Sequence, residues 1–158
     1  MTVDPSTMGR PELRALLAIW EARRDGADLP RKVRFAPVDV SEFMANMLFV
    51  EVSDSGPRFR YREVGVELTR IYGRDVTDRY LDQMPVLFRR FAEPAYREVL
   101  ATRDATYGSF RFVRNWWIAT YERLMLPLAG DDGVIVEVAV AIYPRFTPRG
   151  PGRRRRDA

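Results

Sequence analysis

The sequence predicts a single α+β domain built on an antiparallel sheet, and three observations carry that expectation. Strand-like segments at 48–52 and 58–64 flank the turn signal Asp54-Ser55-Gly56-Pro57, helix-forming text follows from 66 to 103, and three longer strand-like runs close the domain around the turn Gly130-Asp131-Asp132-Gly133. Hairpins at both ends with helices between them do not supply the repeated crossovers that a parallel sheet requires. With 158 residues, 46% hydrophobic and 12% aromatic, the chain is long enough to bury roughly 70% of its unfolded surface in one core.

Each element follows from its own pattern. Leu13, Leu16, Leu17 and Trp20 recur at helical spacing, with Ser6 or Thr7 available as N-cap, Pro11 in the first turn and Gly26 beyond the end; an amphipathic helix is expected over 9–25. After the loop GADLPRKVRFAP, residues 38–47 suit one short helix packing Phe43, Met44 and Met47 inward. In the strand 58–64, Arg58, Arg60 and Arg62 share one face and Phe59 and Tyr61 the other, so an edge strand with its arginines in water is expected. Gly65 ends that strand, Val66–Tyr72 makes a turn or two of helix closed by Gly73, and Asp75 can cap a further turn through Tyr80. Residues 85–103 read as helix, which Pro94 should kink or split. The last three strands fall at about 105–117, 119–128 and 134–143. The final one is apolar on both faces (Val134, Val136, Val138, Val140 and Ile142 against Ile135, Ala139, Ala141 and Tyr143), which places it centrally in a sheet covered on both sides.

Composition closes several routes to function. The chain has no cysteine and no histidine. Disulfides, Cys/His zinc sites, Ser-His and Cys-His nucleophilic pairs, histidine-ligated haem and a photochemical cysteinyl–flavin adduct are all excluded. The basic balance, pI ≈ 9.7, is local: residues 144–158 hold six arginines against Asp157, a net of +5, so residues 1–143 are left at −1 of the chain's +4. The boundaries expected are a flexible N-terminus over 1–8, one domain over 9–143 and a disordered basic tail over 144–158. With no secretory signal and no apolar run of membrane-spanning length, a cytoplasmic protein is expected, without membrane contact.

The order of helix, two strands, clustered short helices, longer helix and three-stranded meander resembles the PAS fold. RFRYREVG, GRDVTDRYLD and YERLMLPLAGDDG, with a tryptophan-containing opening helix in ALLAIWEARR, look like the single-domain PAS family common in alphaproteobacteria; the resemblance covers about residues 13–143. It implies a five-stranded antiparallel sheet in the order 2-1-5-4-3 with helices on one face, and a sensory role without an output domain of its own. Where family members are apolar within RFRYREVG, this chain has Glu63 on the face of Phe59 and Tyr61, either as an edge carboxylate reaching solvent or as a polar group in the pocket.

The candidate chemistry is thin. The acid pairs Asp75/Asp78, Asp131/Asp132 and Glu93/Glu98 are explained by caps, a hairpin turn and a helix break, so no catalytic residue, metal ligand or cofactor is assigned. Gly65 and Gly73 lack phosphate-loop spacing; Gly65 is a strand-end glycine or a helix-start anion site. The dense aromatic set is mostly core, but buried tyrosine hydroxyls want partners and pockets are apolar with a few polar groups. The candidate ligand-binding residues are Tyr61, Tyr72, Arg79, Tyr80, Phe88, Phe91, Trp116, Tyr121 and Arg123, beneath a roof over 66–80. Leu13, Leu16, Leu17 and Trp20 pack on the sheet or on the same helix of a second chain, which would make a homodimer. The function expected is a non-catalytic regulatory module that binds a small molecule or a signalling partner. The alternatives are a ligand-free homodimerisation or protein-interaction module and a small enzyme using carboxylate or tyrosine chemistry. The arginine tail supports only sequence-blind phosphate contact, so no specific nucleic-acid recognition is expected.

Overall fold

The structure, a computed structural model, describes residues 3–53, 58–114 and 117–145, with side chains from 112 to 118 left aside. The turn at 54–57, Trp116 and the tail beyond Arg145 therefore lie outside the described residues.

Five strands, β1 (Met47–Val52), β2 (Phe59–Val64), β3 (Thr106–Arg114), β4 (Trp117–Ala129) and β5 (Ile135–Pro144), form one sheet in the order β2-β1-β5-β4-β3. Every pairing is antiparallel. The strand apolar on both faces, β5, is central, and from Val138 to Tyr143 it is buried throughout. Among the described residues three α-helices accompany the sheet: α1 (Pro11–Arg23), α2 (Val66–Tyr72) and α3 (Val86–Thr102).

Helix α1 covers one face. Leu13, Leu16, Leu17 and Trp20 are at most 3% exposed, and the Trp20 indole N–H donates to the Pro127 carbonyl at 3.0 Å. The stripe is therefore satisfied within the chain, and its alternative use as a dimer contact is corrected on that ground. Ser6 and Thr7 are not the N-cap of α1. They sit in a separate 3-10 turn, Pro5–Thr7, where Asp4 accepts from the Ser6 N–H; Arg10 precedes α1 without a side-chain cap. Met8, 2% exposed, already belongs to the core, so the packed body begins before residue 9.

The short helix expected over 38–47 is a 3-10 segment, Pro37–Asn46, broken at Val40. Pro94 neither splits nor ends α3. It and Arg90, whose carbonyl loses its helical donor, are both exposed, so water meets the lost bond.

The arginine edge is real but not bare. Asp78 has a left-handed backbone (φ 64), which stops the helical turn expected after Asp75 and lays residues 78–80 beside β2. The Asp78 N–H donates to the Tyr61 carbonyl at 2.7 Å and the Tyr61 N–H to the Arg79 carbonyl at 2.9 Å. Arg60 and Arg62 grip the Asp78 carboxylate at 3.2 and 3.1 Å, and Arg58 grips Asp82 at 2.8 Å. An open strand edge is thus blunted by backbone pairing and charge. The β1–β2 register shifts between Phe49 and Val50, so Glu63 pairs with Phe49 while Tyr61 pairs with Val50. That bulge turns Glu63 away from the Phe59–Tyr61 face and into solvent.

Candidate functional site

Cross-strand partners share a face, so the register alone assembles the inner wall. Tyr61 on β2 stands beside Val50, which pairs with Val138; Leu48 pairs with Val140, which pairs with Met125; Ile142 pairs with Arg123, and Tyr121 with Phe110. Alternation along β2 adds Phe59, and alternation along β4 puts Arg123 between Tyr121 and Met125. Over this wall close α2 and α3. Helix α3 turns Phe88, Ala92, Ala95, Tyr96 and Val99 inward at helical spacing. The left-handed Gly73 (φ 75) ends α2 just after Tyr72.

The rings form a chain. Tyr61 and Tyr72 lie 6.3 Å apart between centroids, Tyr72 meets Phe88 edge-on at 5.1 Å, and Phe59 tilts against Tyr96 at 4.9 Å. At the far end Phe110 stacks on Tyr121 at 5.5 Å, and the Arg123 guanidinium lies 5.5 Å from the Phe110 centroid. Tyr61 and Tyr96 are 1% and 4% exposed, whereas Tyr72, Phe88, Phe110 and Arg123 keep part of their surface.

Three tyrosine hydroxyls and one cation share this interior. Burial pushes the Tyr61 hydroxyl far above the ordinary phenol range, with the Tyr96 and Tyr72 hydroxyls adding to the rise and the Arg123 charge opposing it. Burial likewise raises Tyr72 and Tyr96, again against the pull of Arg123. All three are neutral donors at physiological pH. The Tyr96 hydroxyl is near enough to act on Tyr61, yet the Tyr61 oxygen is buried without a hydrogen-bond partner of good geometry. Among the described residues Arg123 forms no ion pair and no hydrogen bond.

Of the expected ligand residues, Tyr61, Tyr72 and Phe88 meet in one line of rings, and Tyr121 and Arg123 lie on the same wall at its Phe110 end. Three others are corrected. Arg79 is exposed and contributes its backbone to the β2 edge. Tyr80 lies under Arg58 at 3.5 Å, outside the cluster, and Phe91 is 73% exposed on the outer side of α3. Trp116 lies outside the described residues. Tyr96 and Phe59 complete the cluster; helical spacing from Phe88 and strand alternation with Tyr61 were the signals for them.

The acid pairs have local work. Asp75 holds the Thr77 N–H and hydroxyl, Asp132 receives the Val134 N–H, and Glu93 pairs with Arg97. Gly65 is neither a simple strand end nor an anion site: a Cβ there would stand 2.0 Å from the Met44 carbonyl oxygen, and α2 has only seven residues. The carboxylate of Glu122 is 1% exposed but serves the opposite face, accepting from the Gly9 N–H at 2.7 Å and the Tyr107 hydroxyl at 2.5 Å. Among the described residues no group of acids is placed to hold a metal ion, and no helix is long and apolar enough to cross a membrane.

A family model described as PAS domain matches residues 8–139. No curated protein matches the chain. Solved structures that share the fold include these two. One is reported under "Flavin Analogue Sheds Light on Light-Oxygen-Voltage Domain Mechanism", with 14% identity, TM-score 0.50, and 68% of this chain and 82% of that one covered. The other is a sensory box sensor histidine kinase from Vibrio cholerae, with 11% identity, TM-score 0.50, and 71% of this chain and 93% of that one covered. A matched span reaching from Met8, at the buried start of the core, to Ala139 on the central strand, carried on a sheet ordered β2-β1-β5-β4-β3, places the chain in the PAS domain family.

Proposed function

We propose that this protein is a regulatory sensory module that holds a small molecule, without converting it, between the inner sheet wall and the roof of α2 and α3. The observation that carries the reading is the line of rings Tyr61, Tyr72 and Phe88 over an inner sheet wall that also bears Arg123, a half-buried cation with no acid among the described residues. Buried polar groups are normally satisfied, and the Tyr61 hydroxyl, with only the Tyr96 hydroxyl beside it, is a group that a bound molecule would satisfy further. Among the described residues the same cluster contains no carboxylate, so it offers donors and positive charge but no general base. PAS membership and the fold shared with a sensor histidine kinase agree with a sensing role. The signature pieces in RFRYREVG and GRDVTDRYLD further favour the single-domain alphaproteobacterial branch, working in the cytoplasm.

Thermal shift of the purified protein against a library of neutral, anionic and cationic small molecules tests this. A ligand at about one hundred times its Kd stabilises by ~2.7 kcal/mol, a rise of about 5–11 °C for a domain of this size. Tyr72→Ala should remove the shift. A library in which no compound stabilises the wild type contradicts the reading.

One observation favours a second reading, an interaction module. Leu87 and Phe91, one helical turn apart on α3, are 69% and 73% exposed. Light scattering of the wild type and Leu87→Glu/Phe91→Glu separates the two: self-association lost in the double variant supports this surface, and a concentration-independent monomer removes it.

A further inference from the structure

We propose that the outer edge of β3 pairs with the β3 of a second copy of this chain, antiparallel about Phe110, so that two five-stranded sheets join into one. The inference goes beyond the binding reading above and stands without it.

The edge is the first observation. A sheet ordered β2-β1-β5-β4-β3 has two outer strands, and they are finished differently. Beside β2, residues 78–80 pair with the main chain at Arg60 and Tyr61, and Asp78 and Asp82 engage Arg58, Arg60 and Arg62. Beside β3, among the described residues, no strand, bridge or loop pairs with the side away from β4. Outer strands are kept from pairing by shortness, proline, a bulge, charge or a covering segment. Strand β3 runs nine residues, TYGSFRFVR, without proline, and matches β4 residue for residue from Thr106 to Arg114 with no break in register. Its outward main-chain groups are a template for another strand.

The sequence of the strand selects the occupant. Pairing about Phe110 is the two-fold register that engages the whole strand, since positions 106 and 114 then face each other. The two arginine positions, 111 and 114, stand opposite Ser109 and Thr106, so no charge directly faces its like. A register centred one residue later would set Arg111 against its own copy. Phe110 faces itself across the axis. Its half-buried ring already stacks on Tyr121 at 5.5 Å. Opposite residues of an antiparallel pair lie about 4.5–5.5 Å apart between Cα atoms, so two copies of that stack meet at the axis as an aromatic cross-strand pair. Residues 146–158 of the same chain suit this edge less well: Pro148 and Pro151 have no main-chain donor, and the four arginines at 153–156 would bring more positive charge to Arg111.

Sedimentation velocity of the full chain over a dilution series tests the association, and single cysteines placed in this cysteine-free chain test the register. The wild type should be a reversible dimer, and Leu87→Glu/Phe91→Glu should remain one. Phe110→Glu sets two carboxylates face to face and should be monomeric where the wild type is dimeric. Under mild oxidation Phe110→Cys should cross-link; Ser109→Cys and Arg111→Cys, whose copies lie diagonally about 7–8 Å away, should do so at least about tenfold more slowly. Should Phe110→Glu fail to fold, the cysteine series still decides. The inference is overturned if cross-linking is fastest at 109 or 111 or equal at all three positions, if a folded Phe110→Glu protein dimerises, or if the dimer is lost in Leu87→Glu/Phe91→Glu. A wild type that stays monomeric at millimolar concentration also overturns it, and leaves the edge to residues 146–158 or to another protein.

Discussion

Replacing Gly65 by alanine should destabilise this domain far more than its conformation implies. The residue has φ −68 and ψ 152, which any amino acid adopts, so the backbone carries no left-handed strain. The obstacle is space. An added Cβ would lie 2.0 Å from the Met44 carbonyl oxygen and 2.5 Å from that of Ala45, both main-chain atoms that cannot rotate aside. The junction of β2 and α2 would have to lift from the 37–46 segment by more than an ångström, straining the Gly65 N–H bond to the Met47 carbonyl at 2.8 Å. Overpacking typically costs about 1–3 kcal/mol, and a main-chain obstacle puts this case at the upper end, near 3 kcal/mol. Urea unfolding should show that loss at unchanged m-value, with Tm lower by about 6–12 °C. Gly108→Ala is the control, because nothing lies within 4 Å of a Cβ there; it should stay within about 0.5 kcal/mol of the wild type. A Gly65→Ala protein as stable as Gly108→Ala would refute the close-approach argument.

Three further outcomes follow from single side chains. Trp20→Phe removes the donor to the Pro127 carbonyl, leaving that buried acceptor unmet, and should cost about 2–3 kcal/mol in urea unfolding. Tyr61→Phe removes a buried hydroxyl with only the Tyr96 hydroxyl beside it, so stability without ligand should stay within about 1 kcal/mol of the wild type. Glu137 is held above the ordinary carboxylate range by burial, against the attraction of Lys32, with Glu51 opposite it on β1 raising it further. Its protonated form is favoured in the folded state, so its contribution to stability is complete below the unfolded pKa and is lost as pH rises through the folded one. Glu137→Gln should therefore gain about 0.5–1 kcal/mol at pH 7 and flatten the dependence above the ordinary glutamate range, as read by unfolding at stepped pH.

The fold was legible where side-chain alternation was unbroken. Val138 to Tyr143, apolar on both faces, marked the central strand, and the arginines of β2 marked the edge. Part of the candidate site was named from the sequence, but its assembly on one wall needed the strand register, which relates Tyr61 on β2 to Arg123 on β4. What failed was orientation that depends on contacts distant in sequence. Glu63 shared a face with Tyr61 by simple alternation, but the bulge opposite Phe49 and Val50 reversed it. Arg79 and Tyr80 were placed under a helical roof, but the left-handed Asp78 led them along the β2 edge. Phe91 lies about 60° round α3 from Phe88, on the side away from Tyr96, which is enough to put it in solvent. The approach of Gly65 to Met44 leaves no local trace in the sequence.

The central claim is that a ligand enters the interior at the tyrosine cluster and Arg123. Its most direct measurement is a titration of protein with ring-labelled tyrosine, using the compound that gives the largest thermal shift, followed by nuclear magnetic resonance. The account predicts saturable shifts for Tyr61, Tyr72 and Tyr96, with Tyr80 at the outer edge of β2 unmoved. Saturable shifts confined to Tyr80 or Tyr143, or none that saturates at the three interior rings, would contradict it.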